Sequence, residues 1–131
     1  MAKTAPIFLL CRHCGNMARK IVDSGVAIVC CGEPMEVLTA NTTDGAREKH
    51  VPACTREGSE VRVRVGSVAH PMLPEHHIGR IWLETARGSQ CRPLRAGDEP
   101  TAVFMLTDDD EPVAVYEWCN LHGLWKVDIA E

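Results

Sequence analysis

No run of apolar residues in this 131-residue chain approaches the ~20 needed to cross a bilayer as a helix. The opening, MAKTAPIFLLCRHCG, offers only the short stretch Ile7–Leu10 where a signal peptide needs a longer apolar region and a small-residue cleavage site. A cytoplasmic protein is the expectation. Basic charge is also scarce: 14 Lys and Arg stand against 18 Asp and Glu, a net charge of −4. That balance argues against nucleic acid as a partner. Residues 1–40 sum to +1 and residues 41–131 to −5, so any attraction for a small anion must be local. There is no internal repeat and no low-complexity tract. No stretch of ten or more residues carries a helical stripe.

What the chain does have is cysteine. Seven cysteines and six histidines in 131 residues suggest metal ligation, given a reducing compartment that disfavours disulfides. Cys11-Arg-His-Cys14-Gly is followed, after 15 intervening residues, by Cys30-Cys31-Gly. Four thiolates in two close pairs can wrap a tetrahedral metal, and soft sulfur selects zinc or iron. A structural zinc ribbon is the plain alternative. The adjacent pair Cys30-Cys31 tells against it, since ribbons separate both pairs and neighbouring side chains point apart.

Residues 1–38 read as a self-contained metal knuckle and 39–48 as a polar linker with turn residues. From 49 to 131 the reading is all-β. VRVRVGSV (61–68) alternates, with Val61, Val63 and Val65 on one face and Arg62 and Arg64 on the other. Further strands are expected at 78–84, 102–106, 113–118 and 124–130, separated by the turns ARGSQ, RAGDEP and TDDDEP. Short strands at this spacing predict an immunoglobulin-like antiparallel β-sandwich.

The first segment resembles desulforedoxin, a small rubredoxin-like module, in CRHCG, the 15-residue gap and CCGEPM. The resemblance implies an Fe(Cys)4 centre on Cys11, Cys14, Cys30 and Cys31 that passes single electrons. His13, between two of these, is expected to face solvent.

Further potential ligands are scattered: His50 in EKHVP, His70 in SVAHPM, His76 and His77 in PEHHI, Cys119 and His122 in CNLHG. A lone histidine in a β domain is more often a surface or core residue than a ligand. Residues just past strand ends can nevertheless converge in space. Together EKHVP, VGSVAHPM and YEWCNLHGLWK resemble the catalytic domain of superoxide reductases. With the first module, the resemblance follows the domain order of the desulfoferrodoxin family over nearly the whole chain.

That resemblance implies a second iron held by His50, His70, His76 and His122, with the Cys119 thiolate as axial ligand. Its activity would be one-electron reduction of superoxide to hydrogen peroxide. His76 is preferred because it follows His70 by six residues; His77 stands where the family has an aromatic residue and remains a competitor. Glu48 and Lys49 match the family's Glu-Lys-His run. Lys49 is a compact cation able to attract superoxide, and Glu48 resembles the glutamate that fills the open site of the ferric resting state. The bland reading of both is a solvated loop charge.

Asn120 and Leu121 are expected to set the environment of the Cys119 sulfur through backbone donors. Trp118 and Trp125 are expected to pack in the core, and Cys54 and Cys91 to be free thiols. The resemblance implies rubredoxin as electron donor, and desulforedoxin-like modules commonly pair, so a homodimer is expected. The rival readings are a structural zinc protein, a non-catalytic electron carrier and a superoxide dismutase. Colour separates the first from the rest, because zinc is colourless and ferric thiolate centres absorb visible light.

Overall fold

Alternation in EVRVRV has the expected outcome: β7 (Glu60–Val65) buries Val61, Val63 and Val65 and turns Arg62 and Arg64 to solvent. The computed structural model describes residues 4–43 and 45–129. Residues 1–3 of the expected knuckle, 44 of the linker, 130 at the end of the last expected strand and 131 after it lie outside the described residues.

Contacts divide the chain after Thr39. In the first unit β1 (Ile7–Leu10) pairs antiparallel with β2 (Met17–Lys20) on one side and β5 (Glu36–Val37) on the other. A separate hairpin joins β3 (Val29–Cys30) to β4 (Glu33–Pro34). The cluster at its centre consists of Leu9, Cys11 and Met35, with Ile7, Ala18 and Cys30 against them. A core this small stabilises little, and a bound metal contributes folding energy directly in such units.

The second unit opens with one helical turn, α1 (Arg47–His50). Among the described residues seven strands follow in two antiparallel sheets. One has the order β10-β7-β6, from Thr101–Met105, Glu60–Val65 and Pro52–Glu57. The other has the order β12-β11-β8-β9, from Gly123–Asp128, Pro112–Cys119, Ile78–Thr85 and Ser89–Pro93. The sheets face each other across a core of Val61, Val63, Val65, Ala102 and Phe104 from one and Ile78, Ile81, Leu83 and Val115 from the other. This is the expected sandwich. Among the described residues no helix is long and apolar enough to cross a membrane.

Two strands of this second unit were not expected, β6 and β9. Both are sheet edges, and their mixed exposure, Biieee and eieee, leaves no alternation to read. The ARGSQ segment, expected as a turn, already contributes Ser89 and Gln90 to β9. The polar stretch 40–48 is also more tied down than a linker. Asn41 donates from its amide to the Leu124 carbonyl at 2.9 Å and accepts from the Lys126 amide at 2.8 Å. Thr43 donates to the carbonyl of His122. The stretch therefore runs along β12 toward α1.

Candidate metal centres

In the first unit Cys11 follows β1, where its amide donates to the Asn16 carbonyl at 2.8 Å and its carbonyl accepts from Gly15 at 2.9 Å. This tight loop brings Cys14 back beside Cys11. The adjacent pair is accommodated by a two-residue hairpin turn. Cys30 pairs with Glu33, and the residues between them, Cys31 and Gly32, have φ of 54° and 79°. Positive φ at both central residues is the primed turn whose twist suits a hairpin. Glycine adopts it freely and cysteine does so at a cost of about 1–2 kcal/mol. The reward is direction: the left-handed Cys31 turns its sulfur back toward that of Cys30. Ligand atoms of Cys11, Cys14, Cys30 and Cys31 lie within 4.8 Å of one another.

Asn16 supports the group from outside. Its backbone N–H reaches the Cys14 sulfur at 3.4 Å and its Nδ2 the Cys30 sulfur at 3.5 Å. Backbone N–H donation at Cys14 holds the Cys11 thiol down at about 6, while the neighbouring thiols push Cys31 up to about 12. His13 turns away, with Nε2 3.0 Å from a Glu33 carboxylate oxygen.

In the second unit four imidazoles form a ring. Successive ring centroids are 4.7 Å apart for His50–His70, 4.7 Å for His70–His76, 5.0 Å for His76–His122 and 4.8 Å for His122–His50. Each meets the next edge-on, at interplanar angles between 74° and 83°. Across the ring His50 and His76 are 6.4 Å apart. His50 Nε2 lies 3.1 Å from both His70 Nε2 and His122 Nδ1. The Cys119 sulfur lies 3.4 Å from His70 Nε2 and 3.9 Å from His122 Nδ1. All five ligand atoms fall within 4.8 Å of one another.

These residues arrive from separate places: the end of α1, the loop after β7, the approach to β8, the end of β11 and the turn before β12. Burial holds the imidazoles of His50 and His76 below their usual range and that of His70 down at about 4. The shift favours the neutral form of these three, the form that binds a metal. The outward nitrogens of two are occupied, His50 Nδ1 by the Ala46 carbonyl at 2.7 Å and His70 Nδ1 by the Pro71 carbonyl at 2.6 Å. Each Nδ1–H donates outward, and each Nε2 is left with its lone pair inward. Among the described residues the buried Nε2 of His76 has no hydrogen-bond partner, an orphaned acceptor that a cation in the ring would satisfy. The set fits iron, for which imidazole and thiolate are suitable ligands in either oxidation state.

The His77 ring is directed elsewhere, its Nδ1 3.0 Å from the Leu73 carbonyl. Burial pushes the Cys119 thiol up, opposed by backbone N–H donation from His122 and Leu121. The donors are thus Leu121 and His122, not Asn120, whose amide donates to the His77 carbonyl at 3.2 Å. Trp125 is more than core filling, since its indole touches both His50 and His122. The spacing His122-x-x-Trp125 was the available signal for that contact. Glu48 and Lys49 lie exposed on α1; the charge of Lys49 contributes to lowering the His76 pKa and that of Glu48 to raising His50. Cys54 packs half-buried against the sandwich core and Cys91 is exposed, both as free thiols.

The family model described as desulfoferrodoxin matches residues 42–128, more than half of the chain. The chain belongs to the desulfoferrodoxin family. A desulfoferrodoxin of Nitratidesulfovibrio vulgaris is 44% identical over 118 residues, which cover 90% of this chain and 92% of the relative. A superoxide reductase of Pyrococcus horikoshii is 34% identical over 111 residues, covering 70% of this chain and 94% of that protein. Among solved structures, the superoxide reductase of Treponema pallidum superposes with a TM-score of 0.81 at 37% identity, covering 95% of this chain and all of that one. The family has two iron sites, and this chain's four-cysteine group and four-histidine, one-cysteine group match them.

Proposed function

We propose that this chain is a superoxide reductase, converting superoxide, one electron and two protons to hydrogen peroxide. The observation that carries the reading is the ring of His50, His70, His76 and His122 with the Cys119 sulfur against it. The family's two iron centres would then sit in this ring and in the group of Cys11, Cys14, Cys30 and Cys31. His50, His70, His76, His122 and Cys119 would hold the iron that supplies the electron, and the Cys119 thiolate would push electron density toward it.

The remaining work falls to the protein. Burial of His50, His70 and Cys119 excludes water from that side of the ring, while His76 and His122 are half-buried. Lys49 draws the anion in against the acidic field of residues 41–131, and its ammonium stabilises negative charge developing on oxygen. Glu48, one residue earlier on α1, would fill the open side of the ring when no substrate is there, as the family resemblance implies. Protons come from solvent at this exposed edge.

Rubredoxin as electron donor and a cytoplasmic location follow from the family resemblance and the thiol-rich composition. A homodimer is supported by the first unit's exposed Ile21, Val22, Val26, Val29 and Val37, apolar side chains that a second copy would cover.

The test is iron analysis with a visible spectrum, followed by pulse radiolysis of the reduced protein. About two irons per chain and rapid consumption of superoxide are expected. Cys119→Ser should abolish that reaction and leave the absorption of the four-cysteine centre intact. Stoichiometric zinc in both groups, in protein from the native host, would overturn the reading.

A further inference from the structure

Two neighbouring histidines offer the same chemistry, yet only His76 turns into the ring. In an extended segment successive side chains point to opposite faces, so a slip of one residue would exchange them. Something must set the register. The approach to β8 is a tight turn in which the Leu73 amide donates to the His76 carbonyl at 2.9 Å and the His76 amide donates back at 3.1 Å. That turn alone is local and exposed. Asn120, the residue after Cys119, fastens it to the rest of the site with three hydrogen bonds. Its amide donates to the His77 carbonyl at 3.2 Å, its Oδ1 accepts from the His77 amide at 2.9 Å, and its Nδ2 donates to the Glu75 carbonyl at 3.0 Å.

The position is one where the ordinary ladder fails. β11 pairs with β8 as far as Cys119 opposite Ile78, and the register shifts between Trp118 and Cys119. Past that irregularity a strand partner no longer specifies which residue faces inward. Asn120 takes over, its side-chain carbonyl and backbone amide binding His77 on both sides as a paired strand residue would. It simultaneously ties the loop of His76 to the loop that carries Cys119 and His122.

We infer that Asn120 is the positioning residue that selects His76 over His77 for the metal-holding ring. The inference rests on the reading that His76 is a ligand. Asn120 itself touches neither metal nor substrate; it acts by fixing the register of 73–77.

The test uses the iron-loaded protein and reads the rate at which a ferrous chelator removes iron from the second centre without oxygen. Loss of a group that orients a ligand typically costs 10- to 100-fold in metal affinity, so Asn120→Ala should release iron about 10 to 100 times faster. Asn120→Asp keeps the acceptor for the His77 amide and should fall between. Amide exchange in residues 73–77 should accelerate in the alanine variant. The decisive comparison is His77→Ala in two backgrounds. With Asn120 present it should be silent; in Asn120→Ala it should change iron retention, because the freed loop then samples His77 as a ligand. General loosening would not create that dependence. Parental iron release in Asn120→Ala, or a His77→Ala effect independent of residue 120, overturns the proposal. If His76→Ala in the Asn120 background leaves iron retention unchanged, the ligand reading fails instead.

Discussion

The indole of Trp125 lies against the imidazole of His50, ring centroids 5.0 Å apart and planes inclined by 25°. Its Nε1–H donates to the His122 carbonyl at 2.9 Å. One side chain from β12 therefore orients a ring from α1 and the backbone of the turn between β11 and β12. It has little room to shift, because a Cβ on Gly45 would come within 3.2 Å of its Cζ2.

Trp125→Phe should preserve the stack and lose one hydrogen bond, costing about 1 kcal/mol. Trp125→Ala should cost about 3–5 kcal/mol, the range for large aromatic truncations in cores. Chemical denaturation measures both, and the alanine variant should also alter the visible spectrum of the second iron. Equal stabilities for the two variants would show that the aromatic face does nothing for this site.

Lys49 separates steering from chemistry. In the proposed role its exposed ammonium would act on the approach of an anion, and salt would screen it over a Debye length of roughly 10 Å at 0.1 M. Lys49→Ala should slow the second-order reaction with superoxide and flatten its ionic-strength dependence. The visible spectrum should hardly change, since Lys49 is not among the ligand group. Pulse radiolysis across a salt series reads both quantities. An unchanged slope would make Lys49 an ordinary surface charge.

Glu117 is fully buried on β11 between Ile81 and Trp125, and among the described residues neither carboxylate oxygen has a hydrogen-bond partner. Burial pushes its carboxyl well above the usual range, favouring the protonated form in the folded chain. Its contribution to stability is complete below the unfolded value near 4.5 and declines as pH rises toward the folded value. There the folded state binds more protons than the unfolded one, and stability falls by up to about 1.4 kcal/mol per pH unit. Glu117→Gln removes this slope. Urea denaturation of parent and variant from pH 5 to 9 should show the parent losing ground steadily; parallel curves would mean that Glu117 finds a partner in solution.

The sandwich was legible because β7 and β10 alternate buried with exposed residues, while β8 and β11 bury most of theirs and carry long apolar stretches. Edge strands β6 and β9 bury one side at most, so composition hid them. The donor residues could be named from motifs, but the means of orienting them could not. A left-handed Cys31, the stack of Trp125 on His50 and the clasp of Asn120 on His77 are all relations between residues distant in sequence or set by backbone sign. Cys-Cys adjacency was the nearest clue, read as an awkwardness to be overcome; the positive φ of Cys31 and Gly32 is how it is overcome.

Gly66 supplies the last prediction. Its φ is +82°, and a Cβ there would lie 2.7 Å from the carbonyl oxygens of both Glu48 and Lys49. Those oxygens belong to α1, which ends at His50. The same turn holds α1 by donation from the Val68 amide to the Glu48 carbonyl at 2.9 Å and from the Gly66 amide to the Val51 carbonyl at 3.2 Å. Gly66→Ala therefore carries three penalties: a left-handed backbone for a residue with a Cβ, a clash with the Val68 carbonyl within its own turn, and a displacement of the helical turn that bears Glu48, Lys49 and His50. Gly58 isolates the first: its φ is +57° and nothing lies within 4 Å of an added Cβ. Gly58→Ala should cost about 1–2 kcal/mol and leave the reaction with superoxide untouched. Gly66→Ala should cost more and should slow that reaction, because the ammonium of Lys49 moves with its backbone. Denaturation and pulse radiolysis on the two variants decide the matter. If they lose equal stability and react alike, the turn at Gly66 does not set the position of α1.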